Sequence, residues 1–552
     1  MRRTPSLFLG VLLAAGCTDE AHKKPVDSPP ASSPWFEEVT EQAALRFQHH
    51  SGHREKHYLP EIMTGGVGLL DFDGDGHLDI YLVQADGLET PPEKRRGNVL
   101  YRNRGDGTFE DVTARTGVGD RGYGMGVACA DYDTDGHTDI YVTNLGANVL
   151  YRNRGDGTFM RATAAAAVGD PGWSTSAAFF DYDRDGHLDL FVANYVRWSR
   201  DGEKSCQVRG QPSYCSPTIY NAPARDTLYR NLGNGTFENA TQGAGIDSAS
   251  GNGLGVTTAD FNGDGQIDIY VANDATANQL WINDGKGSFT DEALVAGCAL
   301  NQEGVAEAGM GVASVDPDAD GDPDLFVSHL RNETNTFYRN QGRWFDDESA
   351  TVGLGGPSAS FTGFGLGFAD FDHDGLIDVY IVNGRVERLQ PQLNPDDPFA
   401  EPNQLFAGQA GGKFREISPR DGTGEPLVEN SRGAAFGDLD NDGDVDVVIT
   451  NRDGPARVLR NIAGNRGNWI QFDVKDVRGS VATGARVLIQ VGESRQWRQV
   501  QSDYSYCSSS DARIHFGLGK AKKVDKVTVY WQDGNVREFG PREAGNTHEL
   551  KQ

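Results

Sequence analysis

Positive charge is what this chain is short of. Its 552 residues include 51 lysines and arginines against 80 aspartates and glutamates, a formal charge of −29. Nucleic-acid binders need a basic face to neutralise phosphates, so that class is excluded. No apolar stretch beyond the extreme N-terminus approaches the length needed to span a bilayer. Cysteine is scarce, with six in the whole chain. The residue in excess is glycine, 70 of 552, nearly twice the usual share of about 7%. Without a collagen period, that much glycine predicts many tight turns joining many short strands. An apolar content of 37% suffices for a sizeable core.

The N-terminus reads MRRTPSLFLGVLLAAGCTDE, with Arg2 and Arg3 leading a short apolar run and small residues before a cysteine. This pattern is a secretory signal rather than a membrane span. The segment LAAGC resembles the lipobox of bacterial lipoproteins, which implies cleavage before Cys17 and lipidation of its sulfur. Position 18 is Thr rather than Asp, so by the same resemblance the inner-membrane retention signal is absent. The expected destination is the outer membrane or cell surface, with the lipid as the only membrane contact. Residues 18–34, rich in Pro and Ser, are expected to form a tether.

One sentence is then written seven times. DFDGDGHLD at residue 71 recurs as DYDTDGHTD at 131, DYDRDGHLD at 181 and DFNGDGQID at 260. It returns as DPDADGDPD at 316, DFDHDGLID at 370 and DLDNDGDVD at 438. Before each copy lies a Gly-rich apolar stretch such as GMGVACA or GFGLGFA; after it comes an alternating run such as IYVTN or VYIVN. Then follows L-Y-R-N-x-G-x-G-T-F, clearest at 98–113, 148–163 and 227–241. Period-2 alternation marks strands, and each unit supplies about four. Four strands repeated seven times predict a β-propeller, spanning residues 35–464. A linear β-solenoid is the competitor, but its repeats are much shorter.

These units resemble FG-GAP (VCBS) repeats, the calcium-loop blades of integrin α-subunit propellers. The chain as a whole is similar to bacterial relatives of cartilage acidic protein, which join such a propeller to an ASPIC/UnbV domain. The matched stretches are YLPEIMTGGVGLLDFD, SYCSPTIY, LYRNRGDGTF and, near the C-terminus, IHFGLG. The resemblance covers essentially everything after residue 34.

Within D-x-D-x-D-G-x-x-D, oxygen donors fall at positions 1, 3, 5 and 9, glycine at 6 permits a sharp turn, and position 7 can offer its carbonyl. That is the ligand logic of a calcium loop. The first loop offers Asp71, Asp73, Asp75 and Asp79 with the His77 carbonyl, the second Asp131, Asp133, Asp135 and Asp139 with His137. The third offers Asp181, Asp183, Asp185 and Asp189 with His187; the fourth Asp260, Asn262, Asp264 and Asp268 with Gln266. The fifth has Asp316, Asp318, Asp320 and Asp324 with Asp322, stiffened by Pro317 and Pro323. The sixth has Asp370, Asp372, Asp374 and Asp378 with Leu376, the seventh Asp438, Asp440, Asp442 and Asp446 with Asp444. Position 12 is always aliphatic, from Leu82 to Ile449, which excludes an EF-hand. Setting aside the 27 motif aspartates leaves 53 acids against 51 bases, so the acidic excess is motif carboxylate. Four carboxylates about 5 Å apart repel by about 5 kcal/mol per loop even at the dielectric of water. A divalent ion removes that cost, and up to seven calcium ions are expected, chiefly as staples for the blade loops.

Cys206 and Cys215 lie close together in a Gly/Pro loop of a secreted chain, which favours a disulfide over two free thiols. Closing so short a loop contributes about 2.5–3 kcal/mol in the chain-entropy picture. The family resemblance supports the same pair. The segment FQHHSGHREKHYLPE holds His49, His50, His53 and His57 at spacings that match no zinc signature. It is expected to be structural or solvated. Loops preceding the aspartate strands should gather on one propeller face, where Glu61 and His50 are the first candidates for polar groups. From residue 465 to 552 the aspartate motif stops, and about 85 residues of strands and Gly turns predict a small β-sandwich. TGARVLI and IHFGLG match the ASPIC/UnbV pattern, while YWQDG departs from its usual Trp-Pro-x-Gly.

Three functions follow as expectations. The first is a calcium-stabilised, lipid-anchored binding or adhesion module for an extracellular glycan, matrix or protein ligand. The second is a secreted lyase, hydrolase or cyclase with its site in the central channel, for which His50, Glu61, His329 and Arg331 are the catalytic candidates. The third is a structural subunit of a secreted assembly.

Overall fold

The computed structural model describes residues 33–552; Cys17 and nearly all of the tether lie outside the described residues. Among those described, no helix is long and apolar enough to cross a membrane. Seven four-stranded antiparallel sheets follow one another, each built from the repeat that the aspartate motif marks. The first runs Val67–Leu70, Asp79–Leu82, Val99–Asn103, Phe109–Asp111. Innermost strands pack side by side in a closed ring, from Val67–Leu70 round to Ser431–Gly437 and back. The last blade takes its outer strand from the other end of the chain. Phe36–Glu38 pairs antiparallel with Arg457–Asn461, with Phe36 opposite Asn461. The architecture is therefore the propeller that the repeats predict, closed by its N-terminal strand.

The Gly-rich stretch before each aspartate run has a steric reason. Five residues before each loop stand Gly66, Gly126, Gly255, Gly311, Gly365 and Gly433, with Ser176 in the third blade. A Cβ on Gly311 would lie 2.1 Å from the Phe364 carbonyl oxygen, and one on Gly433 2.4 Å from that of Gly65. Neighbouring inner strands approach too closely there for a side chain. At the third blade the Ser176 hydroxyl instead bonds the Leu254 carbonyl at 2.5 Å.

Neighbouring blades are also stitched by the asparagine of L-Y-R-N. Asn153 donates to the Phe72 carbonyl, Asn231 to Tyr132 and Asn283 to Tyr182, each at 2.8 Å. Every acceptor is position 2 of the preceding blade's aspartate loop. The third blade carries the long insertion, a short hairpin of Cys206–Val208 and Gln211–Ser213. The Cys206–Cys215 disulfide closes it, with Cα atoms 5.3 Å apart. Cys129, Cys298 and Cys507 are buried and free.

Residues beyond the propeller form two facing sheets. One orders Ile514–Gly519, Asn468–Lys475 and Thr547–Lys551; the other Ser494–Gln499, Arg486–Val491, Lys526–Tyr530 and Val536–Phe539. Phe472, Val487, Ile489, Phe516 and Val527 fill the space between them. The sandwich sits on the propeller face that carries the aspartate loops. From it, residues 499–511 (QVQSDYSYCSSSD) run into the ring of inner strands.

Candidate functional site

Each aspartate loop folds around its own first carboxylate. The position-6 glycine N–H donates to the position-1 aspartate in all seven: Gly76 to Asp71 at 2.9 Å, Gly136 to Asp131 at 2.9 Å, Gly186 to Asp181 at 2.8 Å. The same bond runs from Gly265 to Asp260, Gly321 to Asp316, Gly375 to Asp370 and Gly443 to Asp438. The position-9 aspartate opens the next strand and is buried to 2% exposure or less in every blade. Asp79 accepts from the Phe72 and Asn103 amides at 3.0 and 2.7 Å. Pro317 has no N–H to give, so in the fifth loop the Arg339 guanidinium takes that place on Asp324.

Burial sets the electrostatics of these carboxyls. It pushes Asp79 and Asp268 up to about 8 and Asp324 to about 9. Asp316 and Asp438 rise to about 7, again chiefly by burial, with neighbouring aspartates adding to the shift. Carboxyl oxygens of Asp71, Asp73 and Asp79 lie within 4.8 Å of one another, as do those of Asp131, Asp133 and Asp139 and of Asp181, Asp183 and Asp189. Asp316, Asp318 and Asp320, and Asp370, Asp372 and Asp374, converge likewise. One carboxyl oxygen each of Asp133, Asp181, Asp316 and Asp372 is buried with no hydrogen-bond partner. Hard oxygens gathered this way, some of them unsatisfied, suit a cation with six to eight oxygen ligands.

The blades also supply counter-charges that the spacing of the aspartate motif does not reveal. The arginine of L-Y-R-N reaches back over the loop: Arg102 holds Asp73 at 2.5 Å and Asp75 at 2.6 Å, and Arg230 holds Asp183 at 2.6 Å. Arg152 pairs with Asp133 and, at 2.9 Å, with Asp135. The fourth blade has Ile282 where these have arginine, and its loop has Asn262 in place of one aspartate. His77, His137 and His187 are half-buried against the next turn. A Cβ on Gly105, Gly155 or Gly233 would lie within 2.7 Å of the facing ring.

The C-terminal sandwich rests on these loops. Ser480 donates to Asp131 at 2.7 Å, Arg513 to the Asp438 carbonyl at 3.2 Å, and Arg478 and Arg486 to the carbonyls of Gly186 and Gly321. Arg498 lies between Asp370 and Asp316; burial lowers it to about 10 against the pull of both carboxylates.

The central channel is filled by the chain itself. Ser509 exchanges backbone bonds with Val67 and Leu69 of the first blade, and the Cys507 carbonyl accepts from Val127 of the second. Asp503 accepts from Phe179 at 2.8 Å, and Gln499 donates to the Thr258 carbonyl at 2.8 Å. Ser505 exchanges backbone bonds with Val312, accepts from Leu366 at 2.9 Å and donates to the Ala434 carbonyl at 3.0 Å. All seven blades are engaged by one segment. The Tyr506 hydroxyl reaches on to the Met63 carbonyl, where Leu59, Ile62 and Met63 of YLPEIM close the far mouth with Tyr123, Trp173 and Phe364. A catalytic site inside the channel has no space along this segment.

At that far face, opposite the aspartate loops, the structure gathers a polar cluster. Glu61, 2% exposed, lies 2.7 Å from His53 Nδ1 and 3.1 Å from the Tyr214 hydroxyl. Arg452 donates to the same hydroxyl at 2.8 Å. Burial raises the Glu61 carboxyl, while His53 and Tyr214 hold it down. Tyr214 arrives on the disulfide-closed insertion, one residue before Cys215. Glu61 is thus where the sequence places it, but its histidine is His53. His50 is half-buried, and its ring feels Arg96, Asp453 and Asp86. His329 is 1% exposed and 3.9 Å from Glu307, and Arg331 bonds through its backbone to Thr362. Neither makes a hydrogen bond or ion pair to Glu61 or His50 among the described residues. Beside Glu61 a hollow of about 310 Å³ opens, lined by Arg54, Glu55, Lys56, Tyr58 and Glu89.

The FG-GAP-like repeat family matches residues 71–142, 131–192, 218–271, 260–327 and 316–381, and the ASPIC and UnbV family matches 478–552. Cartilage acidic protein 1 of Xenopus tropicalis is 25% identical over 484 residues, covering 85% of this chain and 61% of the frog protein. The Mus musculus protein is 25% identical over 491 residues, covering 85% and 62%. The chain thus spans about three fifths of these relatives. Among solved structures, YCF48 bound to D1 peptide matches 80% of this chain and 99% of its own, at 12% identity and a TM-score of 0.42. An Agrocybe aegerita lectin, described as recognising non-reducing terminal N-acetylglucosamine, matches 66% and 80%, at 17% identity and a TM-score of 0.39.

Proposed function

Because the chain belongs to the FG-GAP-like repeat family, we propose that it is a calcium-stapled propeller acting as an extracytoplasmic interaction module. One observation carries the reading: five of the repeats bring three carboxylates within 4.8 Å of one another in loops of one shared frame, and several of the buried oxygens have no partner. Each loop's own residues do the structural part. The position-6 amide orients the first aspartate and the position-9 aspartate ties the loop to two strands, while in the first three blades an arginine clamp spaces positions 3 and 5. A calcium ion would supply the charge that lets these buried carboxyls stay ionised at neutral pH.

In this reading the sandwich covers the loop face and its segment fills the channel, which leaves the opposite face for a ligand. The hollow beside Glu61, with Arg54, Lys56 and Tyr58 at its rim, suits a polar glycan or a matrix or protein segment. Lipidation at Cys17 would tether the module at the outer membrane or cell surface. Glycan-array and pull-down binding by the calcium-loaded protein tests the proposal. Binding should disappear in EGTA; undiminished binding in chelator overturns it.

A second reading is favoured by the Glu61–His53–Tyr214–Arg452 cluster, in which a buried carboxyl beside a phenol and an imidazole has the composition of an acid–base set. Its site would lie on the open face. Turnover lost in Glu61→Gln with binding retained would select it.

A further inference from the structure

Where the sixth and seventh loops meet the C-terminal sandwich, two histidines face each other in the interior. His373 occupies position 4 of the sixth loop, which the calcium template does not use, and is fully buried. His515 lies on the strand Ile514–Gly519 of the sandwich. Their ring centroids are 4.9 Å apart with a 35° tilt. Both nitrogens of both rings are buried without a hydrogen-bond partner. A neutral imidazole always carries one N–H and one lone pair, so each ring leaves a donor and an acceptor unmet, an expensive arrangement for an apolar interior.

A third group completes the constellation. Asp444 holds position 7 of the seventh loop, where a calcium ion would ask only for the carbonyl, so its side chain is spare. Its Oδ1 lies 3.5 Å from His373 Nε2. Atoms each about 2.0–2.1 Å from a tetrahedral zinc stand about 3.3–3.4 Å apart, and two imidazoles on one ion have centroids about 5 Å apart. Both spacings are met. Close approach of the sandwich backbone makes this possible. A Cβ on Gly467 would lie 2.0 Å from the His373 carbonyl, and one on Gly517 1.8 Å from Asp370. His515 also lines a cavity of about 140 Å³ between the sandwich and loops five to seven, beside Asp438, Arg498 and Trp497. That cavity reaches the constellation from the His515 side.

We propose that His373, His515 and Asp444 bind one zinc-class divalent ion that clamps the C-terminal sandwich to the sixth and seventh blades. The nitrogen-rich donor set distinguishes it from the all-oxygen loops and selects a borderline transition metal over calcium. No other aspartate loop has histidine at position 4.

The full chain, saturated with calcium so that the oxygen loops are filled, is titrated with cobalt(II) and then zinc. One equivalent of cobalt should give the intense visible bands of a tetrahedral ion, quench Trp469, whose ring lies 6.4 Å from that of His515, and be displaced by zinc. Zinc should also raise the melting temperature of the calcium-loaded protein. His515→Gln should lower zinc affinity at least 100-fold with calcium content unchanged, and Asp444→Asn should lower zinc affinity as well. Absent tetrahedral bands in the wild type, or bands that persist in folded His515→Gln, overturn the proposal. So does a melting temperature that zinc leaves unmoved, a readout that needs no variant.

Discussion

Shortening Tyr506 to alanine should loosen the segment that fills the channel, and the protein carries its own reporter of that event. Tyr506 is fully buried, packed 5.0 Å from the Phe364 ring, with its hydroxyl on the Met63 carbonyl. Removing a buried aromatic side chain costs about 3–5 kcal/mol. The cost falls on the closed state, because a withdrawn segment has already given up those contacts. Cys507 is 1% exposed in the channel, and burial raises its thiol to about 12. Cys129 is on the second blade's inner strand, where its N–H donates to Ser509 at 3.2 Å. Cys298 packs between the fourth and fifth blades, away from the segment.

When opening is fast relative to reaction, thiol labelling follows the open population, and about 1.4 kcal/mol is tenfold. Tyr506→Ala should therefore speed labelling of Cys507 and Cys129 by about 100- to 4,000-fold while Cys298 stays protected. Tyr506→Phe loses only the hydroxyl bond, about 1 kcal/mol, and should speed it about fivefold. The assay is thiol alkylation with peptide mapping by mass spectrometry. If Cys507 reacts equally fast in wild type and Tyr506→Ala, or Cys298 accelerates alongside it, the segment does not hold the channel as described.

Two further outcomes follow from the loops and the buried histidines. Arg152→Ala removes the cation shared by Asp133 and Asp135, so calcium should bind the second loop a few-fold more tightly while the metal-free protein melts lower; calorimetric titration of both proteins checks this, and weaker calcium binding contradicts it. His329 is held neutral, its folded value lowered to about 3 by burial, whereas the unfolded chain protonates it near 6.5. Its contribution is thus full above pH 6.5 and falls below it by about 1.4 kcal/mol per pH unit, about 2 kcal/mol at pH 5. Relative to His329→Gln, the wild type should lose that much denaturant stability between pH 7.5 and pH 5; a constant difference refutes it.

Much of the architecture was legible because it is repeated. DYDTDGHTD followed by IYVTN announces a turn and a strand wherever it occurs, and seven occurrences announce a ring. The reasons behind the repeat were less visible. GMG and GFG read as turn-prone glycine, yet Gly311 and Gly433 are glycine because the neighbouring inner strand lies where a Cβ would be. The arginine of L-Y-R-N is in plain sight, but only the fold brings Arg102 to Asp73. Nothing local marks QVQSDYSYCSSSD as an interior segment: it looks like a polar loop, and its partners come from seven distant blades. Glu61 was legible from its place before the first inner strand. Its partners His53 and Tyr214 were not, because Tyr214 is delivered by an insertion 153 residues away.

The central claim is that divalent cations make these crowded carboxylate loops tolerable. It is tested most directly by melting the purified protein in calcium and in EGTA, with bound metal counted by mass spectrometry. Several calcium ions per chain and a large drop in melting temperature on chelation are predicted, since each loop at 100-fold excess over its dissociation constant contributes about 2.7 kcal/mol. A protein that carries no calcium and melts at one temperature in both buffers contradicts the account.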